Sequence, residues 1–278
     1  MRLGIHIPLK GGFPANLMRV KEYGCETIQL FAGNPTGWKM APPNLPEIEK
    51  RVALAREQSI YPLVIHCAYL VNLATTSPEF YEKSVRLLND TMERASLHRA
   101  PFVVLHTGNH GGAGVERGLN QIIRTISGIY PEWPGGVKLL LENTAGSGTA
   151  LGSSFEELAR VLQAFPAGTL GVCLDTAHGW AAGYDFGSAD GVKELLERFD
   201  KIIGLEKLCL LHLNDSRVGR GSRVDRHEHI GRGRIGLEGF RELLRQPWPE
   251  EMPAILETPE IGSDWDRQNL ETLRRLLE

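Results

Sequence analysis

The stretch "VDRHEHIG", residues 224–231, holds Asp225, His227, Glu228 and His229 in eight positions, and six arginines stand between Arg217 and Arg234. Further metal-capable side chains end short apolar runs elsewhere: His66, His106, Glu142, Asp175, His212 and Glu257, with His178 three residues after Asp175 in "DTAH". Imidazole and carboxylate without thiolate suit zinc or another divalent first-row ion in a catalytic site with one open position. Together with Asp225 and His227 these make nine ligands, too many for one ion, since a catalytic zinc takes about three. The inventory implies two or three ions in a cluster. Closely spaced divalent ions suit phosphoryl transfer, because they can activate water, bind the attacked phosphate and stabilise the leaving oxygen.

Such a site needs elements that bring distant residues together. Eight runs rich in β-formers, at 2–7, 27–32, 61–67, 101–107, 138–144, 169–176, 208–215 and 253–259, alternate with amphipathic segments such as "ANLMRVKEY", "SPEFYEKSVRLLNDTMERASLH" and "DWDRQNLETLRRLL". In "SSFEELARVLQAF" the Ser153 to Glu156 spacing predicts a capping box at a helix start. Eight β-α units predict an α/β fold of the TIM (β/α)8 barrel type, with a doubly wound open sheet as the alternative. In the barrel, six successive strands each deliver a ligand to the C-terminal end, where such barrels build active sites. A single His or Glu in an apolar run reads as a satisfied core group; six in register do not. With no composition shift or repeat, residues 1–278 read as one catalytic domain, and "MAPPNLPEIE" (40–49) as a proline-marked βα loop.

The formal charge of -3 carries no global basic bias, so a nucleic-acid partner must be held by local patches, of which the arginine loop is the main one. Four cysteines, Cys25, Cys67, Cys173 and Cys209, lie far apart without C-x-x-C spacing. They predict neither disulfides nor a thiolate zinc site, and a cytoplasmic location. No stretch is apolar and long enough to span a bilayer, and the N-terminus has no signal-type core.

In order and spacing, "HCAYLVNLA", "LHTGNHGG", "LLLENTAG", "LDTAHGWAAGYD", "LHLNDS", "GSRVDRHEHIG" and "ILETP" resemble the motifs of the endonuclease IV family of abasic-site DNA repair enzymes, from about Gly4 to Pro259. The resemblance implies a TIM barrel with three zinc ions per chain. His66 and His106 would hold the first; Glu142 would bridge it to a second, completed by Asp175, His212 and Glu257; His178, Asp225 and His227 would hold the third. It implies hydrolysis of the phosphodiester 5′ to an abasic site in duplex DNA, leaving a 3′-hydroxyl and a 5′-deoxyribose phosphate. Glu142 is then the carboxylate best placed for proton transfer, and the chain is expected to act as a monomer.

Tyr69 and Leu70 match the family positions that wedge into the duplex, where unstacking is easiest because a base is missing. Asn34, Pro35 and Trp38 fit the family's second loop, but Thr36 and Gly37 stand where members commonly carry an arginine and a second polar residue; Lys39 is a candidate substitute. Arg223 and Arg226 are expected to face phosphates, with Arg226 also placed to buttress the metal site. His98 is expected on the surface, His229 outside the ligand set, and His6 and His110 near the site, orienting ligands. Two rivals remain: a sugar isomerase or epimerase on the same barrel, needing one or two metals, and a DNA-damage binding protein without catalysis, whose mark would be a missing ligand.

Overall fold

In a computed structural model that describes residues 1–8 and 10–278, the eight runs close into a parallel barrel. Its strands are β1 (Arg2–His6), β2 (Thr27–Phe31), β3 (Leu63–His66), β4 (Phe102–His106), β5 (Lys138–Glu142), β6 (Leu170–Asp175), β7 (Leu208–His212) and β10 (Pro253–Leu256). Each pairs with its neighbours in sequence, and β10 closes the ring between β1 and β7. Two short strands outside it, β8 (Asp215–Ser216) and β9 (His227–Glu228), make an antiparallel ribbon. The open-sheet alternative is thereby set aside.

Strand residues alternate between two faces, and here the alternation decides where the chemistry goes. The outward row joins the helices in the main apolar core, while Val64, Val104, Leu140, Cys173, Leu210 and Ile255 form a separate cluster inside the barrel. Two residues beyond each of these lies a predicted ligand: His66, His106, Glu142, Asp175, His212 and Glu257. The period of two therefore turns all six toward the barrel axis, directly above this mostly apolar floor. Truncating one floor residue such as Leu140 to alanine costs about 2–5 kcal/mol by the usual cavity penalty.

The outer layer comprises α1 (Phe13–Glu22), α2 (Leu45–Glu57), α3 (Pro78–Leu97), α4 (Val115–Ile129), α5 (Phe155–Leu162), α7 (Ala189–Ile202), α8 (Leu237–Leu244) and α9 (Trp265–Leu277), while the short α6 (Thr176–Ala182) continues directly from the end of β6. Two boundaries differ from the sequence reading. The cap of α5 is Ser154, whose side chain accepts from the Glu157 amide, while the Glu157 carboxylate accepts from the Gly152 amide rather than from the cap residue; the cap is one residue later than the spacing of Ser153 and Glu156 suggests, and its return bond lands two residues before it. The loop at 40–49 ends at Asn44, which caps α2, so its last five residues are helical. The proline at the second helical position permits this, because it lacks only an amide that has no partner there anyway.

Candidate metal centre

Glu142, with no exposed surface, occupies the centre. It is the register partner of His106 across β4 and β5, while Asp175 and His212 are partners across β6 and β7. Glu142 Oε2 lies 3.2 Å from His66 Nε2 and 3.0 Å from His106 Nε2, and Oε1 lies 3.0 Å from His212 Nδ1 and 3.3 Å from His178 Nδ1. One carboxylate thus serves two groups, as a bridging ligand must. Glu257 Oε2 is 3.1 Å from His212 Nδ1, and Glu142, Asp175, His212 and Glu257 converge on one point.

A third group lies beside them. Asp175 ends β6 and caps α6, accepting from the His178 amide at 2.7 Å, which fixes the short helix that presents His178. Asp225 lies 3.2 Å from His178 Nε2 and 3.3 Å from His227 Nε2. His227 stands on the β8–β9 ribbon. All nine predicted ligands are thereby brought together, and Asp175 also approaches the third group.

The imidazoles are held from behind. His66 Nδ1 lies 2.7 Å from the Cys67 carbonyl, His178 Nδ1 3.0 Å from that of Asn143, and His227 Nδ1 2.9 Å from that of Glu257. A carbonyl only accepts, so each Nδ1 carries the hydrogen and each Nε2 turns a lone pair toward a carboxylate. That arrangement repels unless a positive charge stands between. His227 Nε2 in particular is buried with no hydrogen-bond partner, and the residues fit a cation here. Burial pushes Glu142 up, but His106 and His212 outweigh it and hold the carboxyl well below its usual value. Burial opposes charge on His212 too, yet Glu257 and Glu142 raise it to about 9. The cluster attracts positive charge, as proton or as metal.

Residues that the sequence reading passed over do the orienting. Asn143 pairs with the Asp175 backbone through both ends of its amide, at 2.6 and 3.0 Å. Asn214 donates to Asp175 Oδ2 at 2.6 Å and accepts from the Glu257 amide at 2.7 Å. Asp215 accepts from the amides of Ser216, Gly231, Gly233 and Ile235, pinning the end of the loop that carries Asp225 and His227. A side chain on Gly233 would collide with that carboxylate and with the Ser216 carbonyl, so only glycine fits. The asparagines directly follow or nearly follow ligands at strand ends, which is the signal that could have found them.

Around the centre, Tyr69 is 59% exposed, more than a packing role needs, with its ring 5.1 Å from Phe31 and 5.8 Å from His66. Leu70 beside it is half-buried. Asn34 folds its own side chain into a turn, accepting from the Thr36 amide and hydroxyl at 3.0 Å, and Trp38 stacks on Phe80. Lys39 is exposed. Arg223 and Arg226 are exposed. Arg223 has φ 56 and its backbone is tied to Ala181 and Ser147; Arg226 donates to the Asp225 carbonyl. Not every loop arginine is free to meet phosphate. Arg217 pairs with Glu228, Arg220 with Asp185, and Arg232 lies over Trp265.

Two histidines depart from expectation. His98 is buried, because as the C-cap of α3 it folds inward and donates to the Arg94 carbonyl. His110 accepts from the Gly114 amide and shapes the loop before α4, with no side-chain hydrogen bond to a ligand. His229 stacks on Trp265 and stays outside the ligand set, and His6 lies 3.7 Å from Glu257 Oε1. All four cysteines are unpaired, and among the described residues no helix is long and apolar enough to cross a membrane.

A family model described as a xylose isomerase-like TIM barrel matches residues 17–277. The chain is 43% identical over 277 residues to the probable endonuclease 4 of Halothermothrix orenii, covering 99% of this chain and 100% of that one. It is 43% identical over 279 residues to that of Natranaerobius thermophilus, covering 100% and 98%. Among solved structures, endonuclease IV from Thermus thermophilus superposes with a TM-score of 0.86 at 37% identity, over 100% of this chain and 99% of that one. The chain belongs to the endonuclease IV family, nucleases built on this barrel.

Proposed function

We propose that the chain hydrolyses the phosphodiester on the 5′ side of an abasic site in duplex DNA, leaving a 3′-hydroxyl and a 5′-deoxyribose phosphate, at three zinc ions. His66, His106 and Glu142 would hold one; Glu142, Asp175, His212 and Glu257 the second; His178, Asp225 and His227 the third. The observation that carries this reading is Glu142 sharing its two oxygens between neighbouring groups, with a third group adjoining. A sugar isomerase or epimerase has no use for that third group. The donor set of imidazole and carboxylate suits zinc. Bound ions supply a water of lowered pKa and neutralise charge on the attacked phosphate and the departing oxygen.

The chain's own residues do the rest. Glu142, buried and fixed by four imidazoles, keeps a carboxylate ready to take a proton from the attacking water. Asp225, half-exposed at the mouth, leaves the third group open to a phosphate oxygen. Tyr69 and Leu70 serve as the wedge, Arg223 and Arg226 meet the DNA backbone, and Asn34 lines the second loop's edge with its amide nitrogen. One chain supplies every group, so the site needs no second copy and the chain is proposed to act as a monomer, and its unpaired cysteines suit a reducing cytoplasm. The test is incubation of purified protein, without added magnesium, with a duplex containing one abasic site. A single 5′ cut whose 3′-hydroxyl a polymerase extends supports the reading; an unsaturated aldehyde end, or no cleavage, contradicts it.

A further inference from the structure

Gln29 lies in the middle of β2 with no exposed surface. Its register partners are His6 on β1 and Val64 on β3, so it belongs to the row of the apolar floor, beneath the ligands. A primary amide there must satisfy two donors and an acceptor, and all three are used. Nε2 donates to Glu257 Oε1 at 2.6 Å and to His6 Nδ1 at 3.0 Å, and Oε1 lies 2.9 Å from His212 Nε2.

Chemistry leaves one orientation. The Glu257 carboxylate only accepts, so it must meet the amide nitrogen; the amide oxygen then faces His212, whose Nε2 must carry a hydrogen. A metal ion bound in place of the second proton would then meet the lone pair of Nδ1, which stands 3.0 and 3.1 Å from Glu142 Oε1 and Glu257 Oε2. Gln29 thus sets which nitrogen His212 offers and, through the other end of the same amide, where Glu257 turns its second oxygen.

We propose that Gln29, backed by His6, is the positioning residue of the second metal group, fixing the His212 tautomer and the Glu257 carboxylate together. This rests on the three-ion reading above, and the two are tested separately. Elemental analysis of the wild-type holoprotein comes first: fewer than three ions per chain overturns the metal reading itself. With three established, release of ions into excess chelator is followed for Gln29→Met, which keeps the length of the side chain and removes its hydrogen bonds. One ion of the three should be held about 10–100-fold more weakly, the range for loss of a group that orients a ligand, while the other two leave at the wild-type rate. The kcat for abasic duplex should fall with KM unchanged. If Gln29→Met does not fold, Gln29→Glu decides: it keeps an acceptor for His212 but opposes Glu257, and should lose the same single ion. Release of all three ions at the wild-type rate, or of all three faster together as general loosening would produce, overturns the proposal.

Discussion

His106 Nε2 and Glu142 Oε2 stand 3.0 Å apart as register partners on adjacent strands, and the other oxygen of Glu142 is 3.0 Å from His212 on β7. The carboxylate is therefore placed by the sheet itself rather than by a loop. Glu142→Gln keeps shape but gives up one oxygen and the charge. It should lower kcat by about 10²–10⁴, the usual span for a lost proton acceptor, with far-UV circular dichroism and DNA binding close to wild type. Turnover within a few-fold of wild type would remove Glu142 from its assigned role.

Tyr69 stands on the rim against Phe31 and His66, its outer face open. Tyr69→Ala should cut the preference for abasic over intact duplex by about 1–3 kcal/mol, the worth of one stacked aromatic, as read in paired binding titrations. Unchanged preference would return the residue to packing.

Arg223 and Arg226 are exposed on the loop, whereas Arg217 and Arg220 are held by Glu228 and Asp185. Arg223→Ala should weaken binding to abasic and intact duplex alike and reduce the slope of log affinity against log salt by about one. Arg217→Ala should change that slope less. Equal slopes for the two variants would mean that the ion pair opens when DNA binds.

Gly233 adjoins the Asp215 carboxylate that gathers four amides. Gly233→Ala forces that cluster apart, at about 1–3 kcal/mol of stability by the usual overpacking penalty. Because the same loop carries Asp225 and His227, one ion should also be released faster to chelator. Thermal melting and elemental analysis check the two effects together.

Asp266, buried near the start of α9, is pushed up from 3.8 to about 6, chiefly by burial, although the Gly262 amide and Arg19 pull the other way. Its raised value means the folded chain prefers the neutral acid. This contribution is fully present below about 4 and is lost as pH rises toward 6. Asp266→Asn should therefore gain stability relative to wild type between those limits, and the difference in denaturation midpoint isolates the effect, since both proteins lose ions alike in acid. A constant difference across that range would contradict it.

Most of the centre was legible because strands have a period of two and the ligands end strands: once Val64, Val104 and Leu140 are read as inward, His66, His106 and Glu142 must be inward too. The tethers were harder. Gln29 meets Glu257 and His212 from 228 and 183 residues away, contacts that exist only after the barrel closes, and its sole mark in sequence is one amide inside "TIQLFA". Ser153 and Ser154 are alike as caps by residue type, so only backbone geometry chose between them. His98 looked exposed because helical position was read without the turn that follows it, and that turn buries the ring.

Nine side chains of one chain are expected to hold three ions. Elemental analysis of protein purified without chelator measures this as the molar ratio of metal to chain. Close to three divalent ions, mainly zinc, are expected, since the buried imidazoles and carboxylates should retain them through purification; a reproducible ratio of two or fewer rules out the trinuclear site.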